Sequence, residues 1–364
     1  MTRSRPVVLG LAAVGGLLAL ALVAILVVAG LRAIGVVGGP DTRFTRSLAI
    51  LPEGSLRVSY IDWTGVRAEV GEGIGPDSDA GDVAEFLDRA FEADLVSTSG
   101  LWDTTATLAE VYGFSALDAQ SEVLAQGSQG AVTATRLPDD ASAEPIEDAL
   151  AELGYVEPSG GAGAQQIWTG DETVLAQAGP SLPALLLHVL VTDEWVLTSD
   201  SAGLLDEAAG VLLDDADNAL EGSLADLVDV VGDREPLAAL VWPGDFVCED
   251  LAMAQAATPD QQVADNLVEE AGGVGPLSSA LIAAFPDGSV GALMGYEDAD
   301  RARRDFDARL ELARGDAVGK VGTFPERFTV DGGVEGSVVR LELEPVGDPV
   351  MSEITRGPVL FATC

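Results

Sequence analysis

The strongest constraint on this chain lies at its start. Residues 7–31, VVLGLAAVGGLLALALVAILVVAGL, hold 25 positions without a charge. At about 1.5 Å of rise per residue, a helix of that length exceeds the roughly 30 Å hydrocarbon slab of a bilayer. A secretory apolar region is shorter, about 7–15 residues, and precedes a small-residue cleavage site. Val28-Ala29-Gly30 supplies such a site, so cleavage is the alternative to a retained anchor. Residues 1–38 therefore read as a short tail and a transmembrane helix, with the lipid bilayer as partner through 7–31. Arg3 and Arg5 precede the run, while Arg32, Arg43 and Arg46 follow it, so the bases near its two ends do not fix orientation. The short basic tail has the order of a signal anchor. It predicts a single-pass protein of the cell membrane, N-terminus cytoplasmic and C-terminal domain extracellular.

The remainder is strongly acidic. The chain has 60 acids against 19 bases, a formal net charge of −41, and all the acids except Asp41 follow residue 46. Such a surface repels nucleic acid and lacks the basic stripe that phosphates need, so no nucleic acid and no nucleotide is expected as partner. It suits a cationic protein or envelope partner, or divalent ions; solubility and composition bias account for the same charge without any partner. Nine of the fourteen bases beyond residue 46 fall within 301–356. Internal pairing on a helix over 298–314 explains that clustering, and a matched contact between lobes or protomers is the alternative.

Only two cysteines are present, Cys248 in WPGDFVCEDLAM and Cys364 at the last position. There is no CxxC pair and no Cys/His cluster, so zinc ligation and thioredoxin-like redox work lack their spacing. In an exported domain the pair is expected to form one disulfide, Cys248–Cys364. Closing so long a loop stabilises by roughly 4–5 kcal/mol in the chain-entropy model and pins a tail that would otherwise fray. Two separate buried thiols, or an intermolecular bridge, are the competing readings.

Periodicity organises the rest. Residues 39–46 read as a linker, with a first lobe over 47–222 and a second over 223–364. LRVSYI at 56–61 alternates as a strand, and Asp62 is placed to cap a short helix through Val70. A loop over 71–82 leads to a helix at 83–94, and another helix is expected within 101–127. A strand at 130–137, a helix at 143–153 stopped by Gly154 and a glycine-rich loop at 158–165 follow. LLLHVLVTDEWVLTSD at 185–200 reads as a hairpin, followed by helices at 202–213 and 223–231. A strand at 236–242 opens the second lobe. Thr258-Pro259-Asp260-Gln261 predicts a helix start with Thr258 as cap and Val263, Leu267, Val268 and Ala271 inward. A hairpin over 279–296 turns at Asp287-Gly288. The helix over 298–314 carries acid-first pairs Asp300/Arg304 and Asp305/Arg309, with Phe306, Leu310 and Ala313 inward. Strands at 325–331 and 337–344 flank Gly332-Gly333. Hairpins interspersed with helices predict an α+β class with mainly antiparallel sheets. The pairing of 185–198 with 202–213, echoed by 279–296 with 298–314, suggests a degenerate duplication.

Catalytic signatures are sparse. The single histidine, His188, lies in an apolar strand and limits acid–base schemes. Asp287-Gly288-Ser289-Val290-Gly291 has an acid where a nucleophile elbow needs glycine. GDAVGK at 315–320 is one spacer short of a phosphate loop and follows a helix where a strand is required. Asp77, Asp79 and Asp82 in a glycine-containing loop offer hard oxygen ligands for calcium, as do Asp214, Asp215 and Asp217, although neither set matches the EF-hand pattern. No catalytic or cofactor-binding residue is assigned.

LRVSYIDW, WPGDFVCEDLAM and GPVLFATC resemble stretches of uncharacterised membrane-anchored exported proteins of high-GC Gram-positive bacteria. The resemblance implies an exported location and carries no activity. The expectation is a non-enzymatic envelope binding or scaffolding protein. The alternative is an exported hydrolase using a carboxylate pair, with or without calcium.

Overall fold

The computed structural model describes residues 41–364, without 53, 72, 159–166, 180–181 and 215–222. The expected anchor at 7–31 and nearly all of the loop at 158–165 lie outside the described residues. Among the described residues, no helix is long and apolar enough to cross a membrane.

In chain order the elements are α1 (Arg43–Leu48), β1 (Arg57–Ile61), α2 (Trp63–Val70), α3 (Ala80–Glu92), β2 (Ser121–Gly127), β3 (Gly130–Arg136), α4 (Glu144–Leu153), β4 (Ile167–Thr169), α5 (Glu172–Ala178), β5 (His188–Val191) and β6 (Trp195–Ser199). They continue with α6 (Ala202–Asp214), α7 (Ser223–Val231), β7 (Ala238–Pro243), α8 (Val247–Asp250), α9 (Thr258–Glu270), β8 (Ser279–Ala284), β9 (Val290–Gly295), α10 (Ala299–Leu312), β10 (Phe328–Glu335), β11 (Val338–Pro345) and α11 (Met351–Thr355).

Among the described residues, eleven strands join one sheet, in the order β10-β11-β9-β8-β7-β1-β2-β3-β6-β5-β4. Every pairing is antiparallel. The α+β class is thus met by one large sheet. Outward from the β1/β7 junction, one wing runs β1-β2-β3-β6-β5-β4 and the other β7-β8-β9-β11-β10. Each wing is a three-strand meander, then a helix (α4 or α10), then later strands, β4–β6 in one wing and β10–β11 in the other, of which the last in sequence inserts beside the meander. The strand path repeats, but not in the register that periodicity suggests. The counterpart of hairpin 279–295 with α10 is hairpin β2–β3 with α4, not 185–198 with 202–213. Thr42–Cys364 form one compact unit, and the sheet is unbroken across residues 222 and 223.

The sheet is covered on both faces, which is why β7, β8 and β9 (AALVWP, SALIAA, VGALMG) are nearly continuous apolar runs without alternation. On one face Val58, Tyr60, Val123, Ala134, Leu197 and Val241 pack with α1, α6 and α7. On the other, Ile61, Leu240, Trp242, Ile282 and Leu341 pack with α2, α3, α10 and the C-terminal tail. A third cluster under α4 and α5 centres on Tyr112, Phe114, Leu150 and Val196.

Several local expectations need correction. The linker at 39–46 is not continuous: Arg43–Leu48 is helical, capped by Thr42, and Phe44 and Leu48 are buried. The folded part therefore starts before Ser47. The span 101–127 is divided. Residues 102–112 are an irregular helical stretch ended by Gly113 at φ 77°, and 121–127 is a central strand. α9 has Ala257 as cap, with no side-chain cap bond from Thr258. Its fully buried residue is Ala264; Leu267, Val268 and Ala271 pack partly buried against the core as expected, while Val263 is exposed. In α10 the expected residues do pack on the core, Ala313 buried and Phe306 and Leu310 partly so, but the buried face is wider and includes Ala302, Asp305, Ala308, Arg309 and Leu312, because two charged side chains turn inward. Gly332 and Gly333 lie inside β10; the turn falls at Gly336, φ 59°.

Candidate functional site

Three buried polar clusters and one surface cleft carry the chemistry of the described residues. The first cluster lies at the β1/β7 junction. Glu235 accepts the backbone N–H groups of Arg43 and Phe44, both at 2.8 Å, and the Tyr60 hydroxyl at 2.9 Å. It thereby satisfies the orphan donors that begin α1. Arg43 pairs with buried Asp62 at 2.7 Å. Burial pushes the Tyr60 phenol well above its usual range, with the Glu235 charge adding to the effect. Asp62 precedes α2 but makes no side-chain cap bond there. Asp62 and Glu235 are two carboxylates of one cluster, each with a partner.

The second cluster surrounds Glu122 on β2, which is buried. Its carboxylate accepts from the Ser99 hydroxyl (2.8 and 2.9 Å), the Gly100 N–H (2.7 Å) and the Trp63 indole N–H (3.1 Å). Burial raises its pKa, against the lowering effect of those donors. The third is Arg309, fully buried on α10. Its guanidinium donates to the Tyr296 hydroxyl at 2.9 Å and to the carbonyls of Gly275 (2.8 Å), Phe361 (2.9 Å) and Thr363. Asp305, one turn earlier, accepts the Gly275 N–H. The sequence pairs these two residues as an acid-first i,i+4 couple; the structure uses them to hold the tail and the loop before β8.

The tail ends in the expected disulfide. Cys248 at the start of α8 and Cys364 are bonded, with Cα atoms 5.5 Å apart. Val359, Leu360, Phe361 and Ala362 are buried, and Met253 N–H donates to the Thr363 hydroxyl at 2.9 Å. The terminal thiol therefore closes a tail that already docks.

The aspartate set separates. Asp79 caps α3, its carboxylate accepting the N–H groups of Gly81 (2.9 Å) and Asp82 (3.1 Å). Asp82 belongs to the first turn of that helix. Among the described residues, no three His, Cys, Asp or Glu side chains gather as a metal cage. Asp214 ends α6, while Asp215 and Asp217 lie outside the described residues. His188 begins β5 half-buried, with Nδ1 3.5 Å from the Thr169 hydroxyl, and burial lowers its pKa. Lys320 of GDAVGK donates to the Glu353 carbonyl at 2.7 Å.

The cleft was not legible in the sequence, because its walls come from three distant segments. It encloses about 360 Å³ between residues 93–95 after α3, the β8–β9 turn and the stretch from β11 into α11. Asp94, Asp287 and Glu344 line it together with Leu95, Phe285 and Met351. A hydrogen bond from the Ser289 hydroxyl, 2.7 Å, holds Asp287 below the usual carboxylate range. The one signal in the sequence was Asp287-Gly288, read correctly as a hairpin turn.

No family model and no curated protein matches the chain. Among solved structures it is similar to three crystal forms of TP0453. Form III has 8% identity, covers 85% of this chain and 97% of TP0453, and has a TM-score of 0.43. Form I has 8% identity, 85% and 98% coverage and a TM-score of 0.42. Form IV has 9% identity, 85% and 96% coverage and a TM-score of 0.40.

Proposed function

We propose that this chain is a single-pass protein of the cell membrane, anchored through 7–31, whose acidic extracellular domain binds or scaffolds an envelope partner without catalytic turnover. The observation that carries the reading is the Cys248–Cys364 disulfide, the kind of crosslink that persists on the oxidising side of a membrane. The clustered ionisable groups support it further. Glu235 caps a helix, Glu122 gathers a loop onto the sheet, and Arg309 holds the tail. Each is engaged in holding the backbone. The repeated strand path supports an origin by degenerate duplication.

Incubating the full-length protein with envelope polysaccharides and ester substrates tests the non-catalytic part. The expected result is no turnover above buffer. Turnover abolished by Asp62→Asn or Glu235→Gln, with the fold retained, would replace this reading with a carboxylate hydrolase.

A further inference from the structure

We propose that the cleft between the end of α3, the β8–β9 turn and the β11–α11 connection receives an arginine- or lysine-bearing peptide segment of a partner protein. The proposal rests on the binding reading above and gives it a location and a partner chemistry.

The cleft has two kinds of wall. Leu95, Phe285 and Met351 are apolar, and Asp94, Asp287 and Glu344 are acidic; no lysine, arginine or histidine is among the lining residues. The charges are not all cancelled from within. Asp94 accepts a neutral backbone N–H from Ser352. Glu344 is exposed and has no ion pair among the described residues. Asp287 is paired with Arg234 at 3.2 Å. α3, thirteen residues long, ends at Glu92, immediately before the lining residues 93–95, so its partial negative pole adds to the same potential.

The mixture of walls selects the ligand. A bare metal ion needs converging carboxylates, and these three do not gather as a metal cage. An anion meets three acidic side chains, and the neighbouring Arg234 guanidinium is already engaged by Asp287 and Glu342. A side chain with an apolar stem and a cationic head matches both walls, the stem against Leu95 and Met351 and the head among the carboxylates. The chain shows the same chemistry beside the cleft: the Arg234 guanidinium lies 3.7 Å from the Phe285 ring centroid while bonding Asp287. Val346, exposed and flanked by lining residues Pro345 and Gly347, extends the apolar rim for the neighbouring residues of a peptide.

The test uses the full chain in nonionic detergent and a fluorescent Leu-Arg-Leu-Arg-Pro peptide at about 0.15 M salt, where the Debye length is about 8 Å and only close charges count. Anisotropy is read for the wild type, for Glu344→Lys at the exposed rim, and for Asp148→Lys on α4 as a charge-matched control elsewhere. The proposal expects Glu344→Lys to weaken binding at least tenfold and Asp148→Lys less than twofold. Equal losses in both variants would overturn the cleft while leaving binding to the acidic surface intact. No binding by the wild type, with near-ultraviolet circular dichroism showing the fold present, would overturn the cleft as a site for cationic peptide. Partner binding at another surface would remain open to separate measurement.

Discussion

The two wings of the sheet follow one strand path and are held by different means. In the second wing, the chain end is tied down by a covalent bond, by a buried guanidinium on three carbonyls and by an apolar tail. In the first, the buried charged residues are all acids, Asp62, Asp94 and Glu122, and one part of the cover over the sheet, the loop at Ser99 and Gly100, is gathered by Glu122. The first wing also carries buried hydroxyls of Thr133 and Thr198, cross-strand partners on β3 and β6, without hydrogen-bond partners among the described residues. A repeated path thus fixes where strands go, while stability rests on side chains that the two wings do not share.

Perturbations of the second wing should have the largest effects. Converting Cys248 and Cys364 to alanine together should remove about 4–5 kcal/mol in the chain-entropy picture, seen as a large fall in the urea midpoint. Arg309→Met should cost about 3–5 kcal/mol, because three carbonyls and the Tyr296 hydroxyl lose their buried donor. Arg304→Met, on the exposed side of the same helix, should stay within about 0.5 kcal/mol. A comparable loss in both variants would show that Arg309 is not the clamp.

At the seam between the wings, Glu235→Ala should cost about 2–3 kcal/mol by releasing the start of α1 and the Tyr60 hydroxyl. Hydrogen exchange should quicken first at Phe44–Leu48. In the first wing, Glu122 supplies a pH signature. Its pKa is raised in the fold above the ordinary 4.5, so the native state binds more protons than the unfolded one from about pH 4.5 upward. Wild-type stability relative to Glu122→Gln should therefore fall as pH rises from 4 towards 7; a rising difference would contradict the burial argument. The smallest effect belongs to Thr198→Val, which should be neutral or stabilising by about 1 kcal/mol because it removes an unpartnered buried hydroxyl.

Local signals in the sequence carried most of the elements and little of their assembly. LRVSYI, the β5–β6 hairpin, the turn at Asp287-Gly288 and the stop at Gly154 were readable because alternation and turn chemistry are local. The charged part of the inward face of α10 was not, although Phe306, Leu310 and Ala313 pack on the core as expected. Periodicity assumes that charged residues face water, and Asp305 and Arg309 violate that assumption with partners supplied by Gly275 and the tail. β2 was hidden for a related reason: Glu122 breaks its apolar pattern, and only the distant Trp63, Ser99 and Gly100 make burial of that carboxylate tolerable. The disulfide was legible from cysteine count and expected compartment. The cleft was not, because the segments carrying Asp94, Asp287 and Glu344 come to line one cleft only after the sheet is assembled.

The account depends on the acidic domain standing outside the membrane with its last residue crosslinked. Intact cells expressing the full chain can be treated with an impermeant maleimide, with and without prior impermeant reductant. The account predicts labelling of Cys248 and Cys364 only after reduction and without lysis. Labelling that needs permeabilised cells, and proceeds without reductant, would contradict both the proposed address and the bond.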